Sequence, residues 1–220
     1  MNARADMLAA IRRALPGERN PRTIGAAAEA LARESIESRP QIPGADLTEA
    51  FAARLVSDRV VGASIDRVNR LEDAPGAVRR YCRIHSLDPV LALQPDPELQ
   101  RLDWGAFEIR PPTGGDETLA VARARWAIAE TGTLVFHSGP ESPTLLSFLT
   151  LHHVCIIESS RILAHLEDYA DAEKGAPVPR NVNLITGASG TADIEGALVR
   201  GAHGPAFVHA IIVGALGQTP

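Results

Sequence analysis

The sequence predicts an α/β protein whose core is an open mixed, mostly parallel sheet flanked by helices. Its 220 residues are 45% hydrophobic and 22% charged, a composition typical of a globular domain. Short apolar runs at 89–93, 152–158 and 208–214 are typical of buried strands. Near the C-terminus, a predicted strand at 183–186 precedes a predicted helix at 192–201 and the strand at 208–214. This order indicates at least one parallel βαβ unit.

The first 45 residues predict a helical N-terminal arm, and residues 46–220 predict the main α/β domain. Apolar residues recur at helical spacing over 3–15, and Pro16-Gly17 ends that helix. A second helix fits residues 23–38, before Pro40. These helices are amphipathic and too short to form a core alone, so the arm is expected to pack on its own domain or on a partner.

The main domain is predicted element by element from the same periodicities. Residues 133–137 follow residues 121–129 as a second strand, because Glu130-Thr131-Gly132 supplies a turn between two alternating segments. The remaining predicted elements are a helix at 47–57, a strand at 59–64, a helix at 66–86 kinked or restarted at Pro75, a strand at 104–109, an apolar turn or helix at 145–149 and a helix at 160–174.

Composition excludes several functional classes. Lys174 is the sole lysine among 22 basic residues, so the chain has no Gly-Lys-Ser/Thr phosphate loop, and a Schiff-base enzyme would have to use that residue. The net charge of −5 is unlike the basic footprint of a nucleic-acid binder. Cys82 and Cys155 form no Cys-x-x-Cys pair, so neither a structural metal nor an iron–sulfur cluster is expected in this chain.

No segment approaches 18 uninterrupted apolar residues, and the N-terminus lacks the apolar stretch of a signal peptide. We therefore expect a cytoplasmic protein without a membrane span.

Two polar segments follow or join predicted strands. At Glu130–Thr133 a carboxylate, two hydroxyls and a glycine meet, and Gly132 could let a ligand approach closely. The alternative is a hairpin turn with an ordinary surface glutamate. Ser138-Gly139-Pro140 could bind an anion through its hydroxyl and free backbone, or could simply end a strand.

A third segment, Thr186–Thr191, is rich in glycine and serine and leads into the predicted helix at 192–201. Unpaired N–H groups at such a helix start favour a phosphate or carboxylate. Asp193 and Glu195 would then either complement the helix dipole or meet a hydroxyl or cation of the ligand. His203, just past the helix, is either an acid–base group or a cap.

Taken together, the segments AIAETGTLVFHSGP and LITGASGTADIEGALVRGAHGPAFVHAIIV resemble the LUD-domain family of the lactate utilization protein C type. The shared features are Glu-Thr-Gly-Thr, Ser-Gly-Pro, Gly-x-Ser-x-Thr-Ala-Asp-Ile-Glu and Gly-x-His-Gly-Pro, in that order. The sequence departs from the family at Ala188-Ser189-Gly190-Thr191, where Pro-Ser-Arg-Thr is usual, and at Pro143-Thr144, where an arginine is expected. The missing arginine at 190 removes an anion contact.

The resemblance implies a fold similar to the ribose-phosphate isomerase, glucosamine-phosphate deaminase and CoA-transferase group. It also implies a role as the C subunit of a lactate utilization system that oxidises L-lactate to pyruvate. Iron–sulfur clusters are then expected in partner proteins, with no cofactor in this chain. A small organic acid is the expected ligand.

Two alternatives remain open at this level. One is a stand-alone enzyme resembling acyl-CoA transferases, with Glu130 as nucleophile or base and the 187–191 loop holding an anionic end of the substrate. The other is a regulatory module that binds a small organic acid. The candidate catalytic residues are Glu130, Asp193 and His203, and the candidate substrate-binding residues are Thr131, Gly132, Thr133, Ser138, Gly139, Gly187, Ser189, Gly190, Thr191 and Glu195.

Overall fold

The chain consists of two compact units, Met1–Gln41 and Ile42–Pro220. The computed structural model describes residues 3–14, 20–34, 39–42, 44, 46–57, 62–111, 117–192 and 198–214.

The first unit contains helices α1 (Ala3–Ala14) and α2 (Pro21–Glu34). Both predicted arm helices are therefore present, while the predicted ends at 15 and 35–38 lie outside the described residues. Met7 and Ile11, which the sequence places on one face of α1, are solvent exposed.

The second unit is an α/β domain with one large sheet, one small sheet and one hairpin. Its helices are α3 (Leu47–Leu55), α4 (Ala74–His85), α5 (Pro97–Gln100) and α6 (Leu166–Ala172), with 3₁₀ turns at Leu71–Asp73, Thr144–Ser147 and Ser159–Arg161. Its strands are β1 (Ala63–Val68), β2 (Val90–Leu93), β3 (Glu108–Arg110), β4 (Leu119–Arg123), β5 (Trp126–Ile128), β6 (Thr133–His137), β7 (His152–Glu158), β8 (Ile162–Leu163), β9 (Val182–Ile185), β10 (Gly190–Ala192), β11 (Leu198–Arg200) and β12 (Phe207–Val213).

The large sheet has the strand order β1-β12-β7-β4-β2-β3, and every neighbouring pair is parallel. Its central strands β7 and β12 are apolar along most of their length, as strands covered on both faces should be. The predicted mostly parallel sheet flanked by helices is confirmed.

The small sheet has the order β8-β5-β6-β9 and packs against one face of the large sheet. There it forms a core with α3, in which Phe51, Leu134 and Phe136 meet Ile157 and Ile212. Helices α4 and α5 cover the opposite face. The loops that follow β2 and β4 therefore leave the sheet toward opposite faces, because α5 lies on one side and β5 on the other.

The prediction of a helix at 192–201 is wrong. Strands β10 and β11 pair antiparallel across this region, with Thr191 opposite Val199, while residues 193–197 lie outside the described part. Backbone hydrogen bonds between residues that flank this region close the base of the hairpin: Ser189 donates its N–H to Pro205 O at 2.8 Å, and its O accepts the Gly201 N–H at 3.0 Å. The expected C-terminal βαβ unit is also absent, because β9 belongs to the small sheet and β12 to the large one.

Three other predicted elements are divided differently in the structure. The strand expected at 121–129 ends at Arg123, and the chain then crosses to the small sheet as β5. The first residues of the helix expected at 66–86 continue β1, and α4 begins at Ala74 with Pro75 in its first turn, where the missing N–H costs nothing. The helix expected at 160–174 is a 3₁₀ turn, β8 and the shorter α6.

Candidate functional site

Glu130 follows β5 and is held against the start of α6. Its Oε1 accepts the Leu166 N–H at 3.1 Å, and its Oε2 lies 2.8 Å from His165 Nδ1. Both side chains of this pair are about 15% exposed. The carboxylate thus uses both oxygens to join the β5–β6 turn to α6, and it orients the His165 ring.

Hydroxyl groups form a short chain beside this turn. Thr131 Oγ1 lies 2.7 Å from Thr133 Oγ1, which lies 2.6 Å from Thr186 Oγ1. Because Thr186 directly precedes Gly187, the chain of hydroxyls connects the Glu130–Thr133 segment to the start of the 187–191 loop.

Gly132 meets a helix. Its φ is +70°, and a Cβ placed there would lie 2.7 Å from the Leu55 backbone nitrogen at the end of α3. The space beside Gly132, which the sequence analysis expected a ligand to enter, is filled by the backbone of α3.

The 187–191 loop forms the base of the β10–β11 hairpin. Ser189 Oγ accepts the His203 N–H at 3.4 Å, and Gly204 packs against the Ser189 side chain. His203 is exposed and follows β11, so it does not lie at the end of a helix as predicted. Gly190 and Thr191 pair within the hairpin, and Asp193 and Glu195 lie outside the described residues.

Ser138 and Gly139 lie at the opposite end of β6. Ser138 Oγ accepts the Asn181 N–H at 2.8 Å, and Gly139 closes a turn with Ser142 through two backbone hydrogen bonds. The four steps along β6 from Thr133 to His137 separate the two ends by roughly 13 Å. The predicted site residues that the structure describes therefore form two groups and not one site.

A crevice of about 190 Å³ opens beside this second group, at the carboxyl ends of β2 and β4. We call it the carboxyl-end crevice; its lining comprises Gln94, Asp96, Arg123, Ala124, Arg125, His137, Glu141, Ser142 and Arg161. In open α/β sheets, ligands bind where neighbouring strands send their connections to opposite faces, and β2 and β4 are such a pair.

The charges of the crevice are arranged around Arg123. Its guanidinium contacts Glu158, Glu98 at 3.2 Å and Asp96 at 3.6 Å, which ties together the ends of β4 and β7 and the loop after β2. Arg125 pairs with Glu173 at 2.6 Å. Arg161 is held more loosely, with Glu158 3.8 Å away and the Trp126 ring beneath its guanidinium.

His137, which also lines the crevice, is bonded through Nε2 to the Tyr169 hydroxyl at 2.7 Å. Burial lowers the pKa of His137, so the ring is neutral at pH 7 and adds a polar group without a charge.

Three histidines are buried near the amino ends of β7 and β12, away from the carboxyl-end crevice. His152 is bonded to the Tyr81 hydroxyl and His209 to Ser64, each at 2.8 Å, while His153 is fully buried on the opposite face. Burial lowers the pKa of each of these three imidazoles to about 4. They are neutral at pH 7 and serve as packing groups of the folded state.

Sequence reasoning missed His165 and the arginines of the carboxyl-end crevice. His165 stands in a stretch predicted as helix interior, where nothing marks it as the residue before a helix. Arg123 and Arg125 were available from the pattern Ala-Arg-Ala-Arg at a strand end, but the single long strand predicted there concealed that end.

Within the described ranges, no group of three or more His, Cys, Asp or Glu side chains could hold a metal ion. None of the helices in these ranges has the length and hydropathy that a membrane span requires.

Comparison with known proteins connects this chain to a family. The LUD domain model matches residues 118–213. A lactate utilization protein C from Geobacillus kaustophilus is 31% identical over 163 residues, which are 63% of this chain and 68% of that protein. Another from Deinococcus radiodurans is 27% identical over 96% of each chain.

Other relatives match over shorter stretches. An uncharacterized protein from Neisseria meningitidis is 42% identical over 84 residues, and the chain covers 36% of its length. Coverage of two further lactate utilization C proteins from Geobacillus is 42% and 38% of their lengths.

A crystal structure of a DUF162 family protein from Deinococcus radiodurans shares the fold, with a TM-score of 0.57 over 77% of this chain and 98% of that one, at 20% identity. The Geobacillus kaustophilus relative exceeds 30% identity over two thirds of its length, and the order of motifs agrees with the domain match. The chain belongs to the LUD-domain family, in the lactate utilization protein C group.

Proposed function

We propose that this chain is the C subunit of a lactate utilization system and acts with iron–sulfur partner proteins in the oxidation of L-lactate to pyruvate. The observation that carries the proposal is the end-to-end match to a Deinococcus radiodurans protein named lactate utilization protein C. Relatives that match over shorter spans bear the same name.

The two cysteines support placing the redox centres in partners. Both Cys82 and Cys155 are buried, and burial raises the pKa of each thiol. Iron–sulfur clusters are usually held by four cysteine thiolates, whereas this chain has two cysteines, and these lie in separate core clusters. The cysteines of this chain act as small apolar core residues.

The geometry of Glu130 favours this accessory role over the acyl-CoA-transferase alternative. A carboxylate that attacks an acyl group needs a free oxygen facing the substrate. Here one oxygen accepts a helix N–H and the other is bonded to His165. The residue is placed to position α6 against the small sheet.

Deletion of the gene tests the proposed function. We expect the deletion strain to lose growth on L-lactate while it still grows on an unrelated carbon source, and we expect a tagged copy to restore growth. The tagged chain should co-purify with proteins that carry iron–sulfur clusters. Normal growth on L-lactate together with no such partner would contradict the proposal.

The variant Glu130→Gln separates the accessory role from the transferase role. The amide keeps one acceptor but loses the charge, so we expect a loss of stability of about 0.5–2 kcal/mol with growth on L-lactate retained. Glu72→Gln, an exposed carboxylate paired with Arg70, is the control. A variant that unfolds like the parent but abolishes turnover of a CoA substrate would favour the transferase.

A further inference from the structure

We propose that the carboxyl-end crevice binds a small monocarboxylate that carries an oxygen on the neighbouring carbon. The choice of a 2-hydroxy or 2-keto acid rests on the proposed function. The crevice itself, its size and its donors are independent of it.

The crevice lies where ligands bind in open α/β sheets. The crevice lies at the carboxyl ends of β2 and β4, and the chain leaves these strands toward opposite faces of the sheet. The backbone opens at such a point, and side chains that follow both strands can reach one ligand. Gln94 directly follows β2, and Arg125 lies two residues after β4.

Size limits the ligand to a few atoms. The volume of about 190 Å³ corresponds to roughly six water molecules. L-lactate and pyruvate each have six non-hydrogen atoms and fit this space. A nucleotide or a whole coenzyme A does not, because sites for larger molecules have volumes from roughly 300 Å³ upward.

The available donors suit a carboxylate. Arg161 has one distant carboxylate, Glu158 at 3.8 Å, and Arg125 uses Nε and Nη2 for Glu173, which leaves its Nη1. Planar guanidinium groups bind carboxylates through paired N–H groups. These two arginines are therefore the groups that we assign to the ligand's charge.

Gln94 supplies a donor for the second oxygen of the ligand. The residue is 4% exposed and lines the crevice, and its Oε1 is fixed by the Arg123 N–H. That bond leaves the amide nitrogen as the side-chain group that can donate to a ligand. A hydroxyl or keto oxygen of the ligand would accept from it.

The two acidic residues that line the crevice differ in how far they are bonded within the chain. Asp96 Oδ1 accepts the N–H groups of Glu98 and Leu99 at the start of α5, and its other oxygen faces Arg123. Glu141 is exposed to solvent. Asp96 thus helps to hold Arg123 and Glu173 holds Arg125, whereas Arg161 has the longer contact of 3.8 Å with Glu158.

Calorimetric titration of the full chain with L-lactate, pyruvate and the neutral isostere lactamide tests the assignment. We expect saturable binding of at least one of the two acids and no binding of lactamide. Arg161→Gln should weaken binding roughly 10- to 100-fold because it removes a charged hydrogen bond. Arg161→Lys, which keeps the charge, should recover part of the affinity.

Arg70→Gln is the matched control, because Arg70 is an exposed arginine paired with Glu72 at 3.2 Å outside the crevice. Thermal unfolding of each variant shows whether it is folded. The inference is overturned if neither acid binds, if lactamide binds as well as the acids, or if folded Arg161→Gln binds like the parent.

Growth assays separate the two proposals. If the deletion strain grows normally on L-lactate while binding still depends on Arg161, the proposed function fails and the crevice stands. If growth on L-lactate requires the chain but Arg161→Gln binds the acids as the parent does, the crevice assignment fails and the proposed function stands.

Discussion

Replacing Gly132 with alanine tests whether the contact between this turn and α3 requires a glycine. The residue adopts φ +70°, and an added Cβ would lie 2.7 Å from Leu55 N and 3.0 Å from the Arg54 carbonyl carbon. These are backbone atoms of α3, so no side chain can rotate out of the way. Either the turn or the helix must shift.

The expected loss of stability in G132A has two separate sources. The left-handed backbone costs an alanine about 1–2 kcal/mol, and forcing a methyl group into a packed contact costs about 1–3 kcal/mol. Part of this is offset by the lower entropy of the unfolded alanine chain, about 0.4–1 kcal/mol. We expect G132A to lower the free energy of unfolding by about 2–4 kcal/mol, or roughly 5–15 °C in Tm.

Gly175 provides the control for the backbone cost. Its φ is +81°, but nothing lies within 4 Å of the position that an added Cβ would take. Urea unfolding of the two variants should show G132A to be less stable than G175A by about 1–3 kcal/mol, the cost of the helix contact. Equal unfolding midpoints would show that α3 does not require a glycine at position 132.

Two further predictions concern buried groups. His152, His153 and His209 have pKa values of about 4 in the folded state, below the ordinary value of 6.5, so the unfolded chain binds more protons between these limits. Their contribution to the free energy of unfolding is therefore fully present above pH 6.5 and is lost as the pH falls toward 4. Urea unfolding across this pH range measures the change, and a constant free energy of unfolding would contradict the prediction. Cys82 and Cys155 should react with a thiol reagent at the rate of global unfolding, and rapid labelling of the folded chain would show that they are accessible.

Several features of this fold are predictable because they depend on local patterns. The apolar runs that became β7 and β12 are long and continuous, and burial on both faces leaves them no alternative structure. The helix at the start of the second unit is similarly fixed by its periodicity and by Asp46, whose carboxylate caps it.

The hairpin of β10 and β11 shows where local patterns fail. The segment has a helical spacing of apolar residues, yet its ends are held by Ser189, Gly201 and Pro205 through backbone hydrogen bonds. These partners are far apart in the chain, so their effect could not be anticipated from a short window. Tertiary contacts outweigh a helix propensity of a few tenths of a kcal/mol per residue.

The candidate sites divide in the same way. The sequence by itself predicts the family, the parallel sheet and the polar segments at Glu130–Thr133 and Ser138–Gly139. The folded chain was needed to show that these segments lie at opposite ends of β6, that Glu130 is bonded to His165 and α6, and that Arg161 faces a crevice. The difference arises because the residue types that carry chemistry are local properties of a chain, whereas the partners that occupy or free them are brought together by strand order and packing.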